Sequence, residues 1–338
     1  MQNVLVIGDH FISPALMRES LVARVNEPLN ITEALTPFPL EPFRDIAEVK
    51  EASGSEDEII QALQGVTLCI AHHAPLTQKV LRACPELRLF VVCRGGPVNV
   101  NVPAATAAGV TIGFTPGRNA TATAEFSVAM ALAALRQIPA SDSGIRQGNW
   151  PGNYTFATTG FELEGSTCGI VGFGEIGRRV ARILEGFGAS VLVYDPYAAV
   201  EAGEPVQRVS LEELLQRSQL VSLHARETPE TRGLIGRQQI ALMPKGSVLV
   251  NCARGALLDY QALEEALRSE HLWAAAADVF PEEPIPPQSS LRDLPNFVMT
   301  PHVAGGTRQA AEKACRIAAE EVDRYLTGKS LRFCANPR

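Results

Sequence analysis

The chain has 338 residues, of which 46% are hydrophobic and 20% are charged. This composition is typical of an ordinary globular protein and not of a disordered one, and the length suggests two domains of roughly 100–200 residues each. The net charge of −7 comes without a basic run, so we expect no nucleic-acid partner.

Membrane and disulfide-rich classes are also unexpected. The first residues contain a short apolar run without a basic region or a cleavage site, which reads as a first strand and not as a signal peptide. The longest apolar stretch, 126–135, is too short to cross a bilayer, so no membrane partner is expected. Seven cysteines without C-x-x-C spacing favour reduced thiols in the cytoplasm and no metal site.

Two blocks of alternating strand and helix patterns follow one another along the chain. In the first block, over residues 4–112, β-branched runs such as VLVI and LFVVCR alternate with helical patterns, and the alternation restarts at Cys168. Alternation of this kind predicts α/β domains with mostly parallel sheets. We therefore predict two α/β domains.

Several helices can be placed individually. A long apolar helix is predicted over 120–138, most simply as a buried connection between the blocks. Ser210 with Glu213 predicts a capping box at the start of a short helix. A further helix is predicted from about Thr231, and the last one covers 307–326.

A glycine motif follows the first strand of the second block. It has the form G-x-G-x-x-G and lies between a strand at 168–171 and a predicted helix at 176–187. In this context Gly172 permits a tight turn, Gly174 lets a pyrophosphate approach the helix N-terminus, and Gly177 lets helix and strand pack closely. A tight turn without a ligand is the alternative. The predicted cofactor contacts in this turn are Gly172, Gly174, Glu175, Ile176 and Gly177.

Asp195 indicates which dinucleotide is bound. It ends the next strand, where its carboxylate would accept hydrogen bonds from the adenosine ribose hydroxyls. A carboxylate repels a 2′-phosphate, and the next residue is Pro196 instead of an arginine that could bind one. We therefore predict NAD and not NADP.

Polar side chains follow three later strands, at the position where open α/β sheets bind ligands. Arg254 offers a two-donor fork for a carboxylate, and His302 can exchange a proton near neutral pH. Glu283, if it contacts His302, would raise the pKa of the imidazole and keep it protonated for the reduction of a carbonyl. Singly, each could instead be a surface charge or a loop residue.

These motifs resemble the D-isomer-specific 2-hydroxyacid dehydrogenases over nearly the whole chain. The matching segments, in family order, are GFGEIGRRVA, YDP, NCARGALLD, DVF…EEP and TPHVAGG. The resemblance implies two Rossmann-like, doubly wound domains, with an NAD-binding domain at 117–305 inserted in a flavodoxin-like substrate domain of 1–116 and 306–338. It also implies a homodimer formed through the cofactor domain.

The same resemblance implies roles for single residues. Arg254 would clamp the substrate and polarise its carbonyl, Glu283 would be the partner of the histidine, and His302 would be the acid/base. Asp278 would lie near the nicotinamide carboxamide. Three further positions would lie beside the cofactor without a catalytic role, namely His224, Cys252 and Ala253.

The predicted activity is hydride transfer between NAD(H) and a small D-2-hydroxy acid or 2-keto acid. Two alternatives stay open. Formate dehydrogenases of the family carry glutamine at the position of Glu283, which disfavours formate, whereas phosphite oxidation on the same scaffold stays possible. The chain could also be an NAD-sensing, corepressor-like binding protein.

The segment 94–101 departs from the family pattern because it is shorter than usual. Its glycines still offer backbone N–H groups to a substrate carboxylate. Relatives that act on 3-phosphoglycerate have several arginines around the phosphate. Arg94 matches one of these positions and the others are missing here, so the substrate of those relatives cannot be assigned to this chain. The predicted substrate contacts are Arg94, Gly95, Gly96, Arg254 and His302.

Three other residues are candidates for the substrate pocket. His72 and His73 follow the strand VTLCIA, and Arg118 lies in the segment TPGRN. They could line the pocket, but two exposed loop histidines are the more common explanation of such a pair. The sequence leaves both interpretations open.

Overall fold

The computed structural model describes residues 2–150, 155–199 and 204–336. The chain forms two compact units. Unit 1 comprises Met1–Asn119 and Gly306–Arg338, and unit 2 is the continuous segment Ala120–Gly305. In the chain, unit 2 is therefore inserted into unit 1.

The described residues form mixed α/β structure. The strands are β1 (Gln2–Gly8), β2 (Leu29–Leu35), β3 (Arg44–Ile46), β4 (Val49–Ala52), β5 (Leu68–Ala71), β6 (Leu89–Val92), β7 (Thr111–Phe114), β8 (Thr167–Val171), β9 (Ser190–Tyr194), β10 (Val206–Arg208), β11 (Leu220–Leu223), β12 (Ser247–Asn251), β13 (Leu272–Ala277) and β14 (Phe297–Met299). The helices are α1 (Pro14–Arg24), α2 (Glu56–Ala62), α3 (Gln78–Ala83), α4 (Val102–Ala107), α5 (Ala120–Leu135), α6 (Ile138–Arg146), α7 (Glu175–Gly186), α8 (Leu211–Arg217), α9 (Arg237–Leu242), α10 (Tyr260–Arg268) and α11 (Arg308–Leu326). Short 3-10 helices cover Phe156–Thr158, Gly255–Leu257 and Ser290–Asp293.

Unit 1 is built on a parallel sheet with the strand order β2-β1-β5-β6-β7. In this flavodoxin-like order the chain moves from β1 to β2 on one side and then continues with β5 on the other. The sheet therefore has a topological switch point between β1 and β5. The strands β3 and β4 form a separate antiparallel pair.

The last helix, α11, completes unit 1 from the far end of the chain. Its alanines Ala311, Ala314 and Ala318 share one core with Val4 and Val6 of β1. Because alanine side chains are short, the helix can pack closely on the sheet and on α1. The predicted helix over 307–326 is confirmed, with Thr307 as its N-cap.

Unit 2 is built on a longer parallel sheet with the order β10-β9-β8-β11-β12-β13-β14. The order reverses at β8, as in doubly wound dinucleotide-binding domains. Neighbouring side chains of β8 belong to different cores, Ile170 to one and Val171 to the other, because successive side chains of a strand point to opposite faces. The predicted α/β fold class is confirmed.

Two helix predictions are wrong in their bounds. The apolar helix ends at Leu135 and not at 138, because Gln137 takes a left-handed backbone with φ of 51°, and α6 then starts at Ile138 with Pro139 in its first turn. The helix expected from about Thr231 begins only at Arg237, after a turn. Periodicity alone did not reveal these breaks.

The predicted capping box of α8 is only half formed. The hydroxyl of Ser210 accepts a hydrogen bond from the backbone N–H of Glu213 at 3.1 Å. The carboxylate of Glu213 forms an ion pair with Arg217 one turn later instead of returning to the N-cap.

Among the described residues, no helix is long and apolar enough to cross a membrane.

Candidate active site

Two glycines of the motif lie against other backbone atoms. At Gly172, φ is 95°, and a Cβ would lie 2.6 Å from the carbonyl carbon of His224. At Gly177, a Cβ would overlap with the backbone oxygen of Gly172. Glycine is required at both positions because any side chain would collide with backbone, and it lets α7 begin directly against β8.

Gly174 differs because no atom lies within 4 Å of the Cβ that it lacks. It is the N-cap of α7, and no side chain caps the N–H groups at this helix end. The first helical residues are Glu175 and Ile176, and the Glu175 carboxylate is paired with Arg179 at 2.8 Å. Open space in front of uncapped N–H groups fits an anion such as a pyrophosphate.

Asp195 is bound to the glycine turn. Its Oδ2 accepts from the backbone N–H of Phe173 at 2.8 Å, and its Oδ1 accepts from the N–H groups of Tyr197 and Ala198 at 2.8 and 2.9 Å. Burial would raise the pKa of this carboxyl, but the three N–H groups outweigh it and lower the pKa. Because a carboxylate has about four acceptor sites, one site is left that a ribose hydroxyl could use.

His224 and Cys252 lie just after β11 and β12. The Nε2 of His224 is 2.8 Å from the Ser222 hydroxyl, and desolvation lowers the pKa of the imidazole to about 3. Burial raises the pKa of the Cys252 thiol to about 12. Both side chains are neutral at ordinary pH, so neither is prepared for proton transfer or nucleophilic attack.

Arg254 is fixed through its backbone. The Nδ2 of Asn251 donates to the backbone oxygen of Arg254 at 3.0 Å, and the guanidinium Nη1 donates to the backbone oxygen of Ala253 at 2.8 Å. The next residue, Gly255, lies against the backbone of Phe280, where a Cβ would collide. This contact sets the path of the segment that carries Arg254.

A buried hydrogen-bond chain connects the segment of Arg254 with the segment that leads to Glu283. Asn251 Nδ2 is 3.3 Å from the hydroxyl of Tyr260, and that hydroxyl donates to the backbone oxygen of Val279. Our sequence reasoning missed Asn251 and Tyr260. The one available signal was a polar residue, Asn251, at the end of an otherwise apolar strand.

Glu283 and His302 are brought together by this arrangement. The Nδ1 of His302 lies 2.7 Å from Glu283 Oε2, and Glu283 Oε1 accepts from the backbone N–H of Phe280 at 2.7 Å. Both side chains are half-buried. The contact between Glu283 and His302, which the sequence analysis stated only as a condition, is thus present, and it orients the imidazole.

Asp278 holds the loop that presents His302. Its carboxylate accepts from the Thr300 hydroxyl at 2.6 Å and from the backbone N–H groups of Val303 and Ala304 at 2.9 and 2.7 Å. His302 has a left-handed backbone with φ of 56°, a conformation that costs on the order of 1–3 kcal/mol. Asp278 therefore restrains the backbone on both sides of His302.

In unit 1, the expectation of exposed loop histidines is wrong. His72 is 1% exposed and His73 is 5% exposed. They are the first and second residues after β5, at the switch point of the sheet, and both are covered by the folded unit. Arg94 is also buried, and it contacts both Glu51 and His73.

The short segment 94–101 is held by Asn99. The buried amide of Asn99 donates to the backbone oxygens of Ala74 and His72 at 2.8 and 3.3 Å. At Gly95 and Gly96, no atom lies within 4 Å of a hypothetical Cβ, so both have open surroundings. This space allows a ligand to approach their backbone.

Comparison with known proteins agrees with this geometry. The family profile described as D-isomer specific 2-hydroxyacid dehydrogenase, NAD binding domain, matches residues 128–304. The D-3-phosphoglycerate dehydrogenase of Methanocaldococcus jannaschii is 34% identical over 304 residues, which cover 88% of this chain and 57% of that protein. The chain thus spans little more than half the length of that relative.

Other relatives match over most of their own length. The glyoxylate reductase of Korarchaeum cryptofilum is 36% identical over 258 residues, covering 75% of this chain and 78% of that protein. The crystal structure of a glyoxylate reductase from Paecilomyes thermophila matches with a TM-score of 0.79 and 26% identity, covering 99% of this chain and 98% of that one. The chain therefore belongs to the D-isomer-specific 2-hydroxyacid dehydrogenase family, and unit 2 contains the family's NAD binding domain.

Proposed function

We propose that the protein transfers a hydride between NAD(H) and a small D-2-hydroxy acid or the corresponding 2-keto acid. The observation that carries this proposal is the contact of His302 Nδ1 with Glu283 Oε2 at 2.7 Å. Arg254 and the glycine turn belong to the same unit. Relatives named glyoxylate reductase and D-3-phosphoglycerate dehydrogenase support the same reaction class.

His302 is the proposed acid and base. Because Glu283 occupies Nδ1, Nε2 is the nitrogen that exchanges a proton with the substrate. In reduction His302 gives this proton to the carbonyl oxygen, and in oxidation it takes the hydroxyl proton. The carboxylate of Glu283 stabilises the protonated imidazole through its opposite charge. The bound nicotinamide supplies or accepts the hydride.

Arg254 is the proposed substrate clamp. Its guanidinium can hold the substrate carboxylate through two parallel hydrogen bonds and polarise the neighbouring carbonyl. Orientation and charge stabilisation of this kind account for much of the acceleration in reactions with a positioned substrate. We also propose that the backbone N–H groups of Gly95 and Gly96 contact the substrate. Arg94, which is engaged by Glu51, acts mainly by holding that segment.

The proposed NAD contacts lie along the carboxyl ends of the unit 2 strands. The turn from Gly172 to Gly177 holds the pyrophosphate, Asp195 the adenosine ribose, and Asp278 the carboxamide side. His224, Cys252 and Ala253 border the cofactor without reacting. The open space at Gly174 and the remaining acceptor site of Asp195 support this assignment.

The test is NADH oxidation with a panel of 2-keto acids, by the parent and by His302→Ala. We expect turnover with some members and a loss of at least about 100-fold in the variant, the range for a missing acid/base group. Near-parental turnover by His302→Ala on every substrate would refute the assignment. NAD binding without turnover would favour a corepressor-like binding protein. Reduction of NAD with phosphite, and with no 2-hydroxy acid, would favour phosphite oxidation.

We further propose that the protein is a homodimer formed through unit 2. The apolar side chains of Ile138, Ile145, Trp150 and Phe156 are exposed on and after α6, and Trp150 is 85% exposed. A groove of about 340 Å³ lies between α6 and the segment at the start of β14. Large apolar side chains exposed along one segment support an interaction surface there.

Analytical ultracentrifugation tests the dimer. Ile145→Glu should produce monomers, whereas Val22→Glu, at an exposed apolar position of α1 in unit 1, should leave the dimer intact. A monomeric parent would refute the proposal.

We also propose a cytoplasmic location, because all seven cysteines are free thiols and all but Cys334 are buried.

A further inference from the structure

Arg226 lies at the switch point of the sheet of unit 2. The strand order reverses at β8, whose neighbour on the other side is β11. Open α/β sheets bind ligands beyond the carboxyl ends of the strands at such a point. Gly172 is the first residue after β8 and Arg226 is the third after β11, and both belong to unit 2. Arg226 is not among the NAD contacts proposed so far.

The segment that carries Arg226 lies directly against the glycine turn. The backbone N–H of His224 donates to the backbone oxygen of Val171 at 2.7 Å, so the pairing of β11 with β8 continues to the start of the turn. A Cβ at Gly172 would collide with the backbone nitrogen of Ala225 and lie 2.7 Å from its Cα. Arg226 follows Ala225, so its backbone lies beside the turn that is proposed to hold the pyrophosphate.

The backbone of Arg226 is held in place by the turn that follows it. The hydroxyl of Thr231 donates to the backbone oxygen of Arg226 at 2.7 Å and accepts from the backbone N–H of Thr228 at 2.8 Å. The N–H of Gly233 donates to the backbone oxygen of Ala256 at 2.8 Å, which joins this turn to the segment after β12. Because the backbone is already ordered, a ligand that binds the side chain has less conformational entropy to overcome.

Arg226 carries a positive charge that is not paired among the residues the structure describes. Its side chain is exposed. The carboxylate of the next residue, Glu227, forms an ion pair with Arg232, and a hydrogen bond from the Thr228 side chain lowers the pKa of Glu230. An arginine has only donors and stays charged. The guanidinium of Arg226 is therefore available to an anion.

Two other arginines near the glycine turn are already engaged. Arg178 forms an ion pair with Glu204, and its guanidinium lies 4.4 Å from the centre of the Phe173 ring. Arg179 forms an ion pair with Glu175 at 2.8 Å. Neither arginine can contact a phosphate without giving up these partners.

A bound pyrophosphate would have too little counter-charge at this turn. Arg208 donates to the backbone oxygen of Asp195 at 2.8 Å, so its charge offsets the nearby carboxylate of that residue. His224 is neutral because desolvation lowers its pKa to about 3. The N-terminus of α7 supplies only about half of one positive charge, whereas each phosphate carries a negative charge. A further cation beyond β11 would balance the excess.

We propose that Arg226 binds the pyrophosphate of NAD(H), together with the N–H groups at the start of α7. Its planar guanidinium can hold phosphate oxygens through two parallel hydrogen bonds. Arg226 is a binding residue that takes no part in proton transfer. The inference rests on the proposed position of the pyrophosphate at Gly172–Gly177, but it does not depend on which substrate is reduced.

The test measures binding without turnover. Isothermal titration calorimetry gives the dissociation constants of NADH and of ADP-ribose, which keeps the pyrophosphate but lacks the nicotinamide, for the parent and for Arg226→Gln. We expect both ligands to bind about tenfold more weakly to the variant, because one charge-assisted contact is lost. Arg226→Lys keeps the charge but not the planar fork, so its loss should be smaller.

Lys245→Gln is the matched control. Lys245 is an exposed cation just before the amino end of β12, so this variant removes the same charge at the other edge of the same sheet. Both dissociation constants should stay within about twofold of the parent values. Because salt screens exposed charges, rising sodium chloride should weaken NADH binding less in Arg226→Gln than in the parent and the control.

Three outcomes would overturn the proposal. Equal NADH affinity in the parent and Arg226→Gln would make Arg226 a solvated surface residue. A loss of affinity for NADPH without a loss for NADH would place the guanidinium at the 2′-phosphate instead. Weaker NADH binding with an unchanged salt dependence and a lower melting temperature of the ligand-free variant would indicate a structural role.

Failure of the proposed function would look different. A parent that binds NADH and ADP-ribose through Arg226 but reduces no 2-keto acid would refute the proposed hydride transfer and leave the pyrophosphate contact in place. Reduction of 2-keto acids by a parent whose NADH affinity does not depend on Arg226 would do the reverse.

Discussion

The carboxylate of Glu283 connects the imidazole of His302 to the protein backbone. One oxygen lies 2.7 Å from His302 Nδ1, and the other accepts from the N–H of Phe280 at 2.7 Å. The second bond fixes the direction of the carboxylate, and the carboxylate then fixes the ring. The two residues therefore act as one unit, in which a change of Glu283 alters the proton transfer assigned to His302.

We predict that Glu283→Gln lowers kcat for 2-keto acid reduction by about 10- to 100-fold, since a neutral amide stabilises the imidazolium less than a carboxylate does. Steady-state kinetics measure this effect. The control is Glu282→Gln at the exposed neighbouring carboxylate, and equal effects in the two variants would contradict the role of Glu283.

Arg254 should not tolerate a lysine. Arg254→Lys keeps the charge but loses the planar two-donor fork, so we expect kcat/KM for the 2-keto acid to fall by about 100-fold. The dissociation constant for NADH, measured by fluorescence titration, should change little. An exposed arginine of α9 provides the control, Arg237→Lys. A loss of NADH affinity equal to the loss of kcat/KM would argue against a substrate clamp.

Substitutions of two glycines in the cofactor turn should have different effects, one on NADH binding and the other on the stability of the fold. Gly174→Ala places its methyl group in open space, so we expect an unchanged melting temperature but at least about tenfold weaker NADH binding. Gly177→Ala should instead destabilise the fold, because its methyl group would overlap with backbone.

Gly186→Ala is the matched control for both variants, since it lies at the other end of α7 and its methyl group would also meet open space. It should leave NADH affinity unchanged and raise stability slightly, because alanine favours the helix more than glycine does. Calorimetry and fluorescence titration measure the two quantities. Unaltered NADH affinity in Gly174→Ala would contradict a pyrophosphate at this turn.

His224 should make the fold sensitive to acid. Its pKa is about 3 in the folded state and 6.5 as the ordinary value, so below pH 6.5 the unfolded chain binds a proton that the folded chain does not. Its contribution is complete above pH 6.5 and is lost as the pH falls toward 3, at up to about 1.4 kcal/mol per pH unit.

His224→Gln should reduce this dependence, because glutamine does not titrate and can still reach Ser222. The free energy of unfolding is measured by urea denaturation between pH 7.5 and 5, with Trp273 as the probe. His271→Gln, at a second histidine of unit 2, is the control. An identical slope for the parent and His224→Gln would show that His224 is not the group that titrates.

Much of the proposed catalytic apparatus could be read from the sequence because its elements are local. The turn at Gly172–Gly177 is specified by the strand before it and the helix after it, and Arg254, Glu283 and His302 each follow a recognisable strand of a parallel sheet. The carboxyl ends of such strands meet at one edge, so polar residues just beyond them are expected to be neighbours.

The tertiary structure decided what depends on residues far apart in the chain. His72 and His73 have the sequence pattern of exposed loop histidines, but the folded unit 1 buries them against Asp9, Arg94 and Arg118. The burial and hydrogen-bond partners of a side chain are set by whichever distant segments pack over it, and no local pattern encodes them. The glycine turn of this chain was therefore determined by its sequence, whereas the burial of His72 and His73 was decided only by its fold.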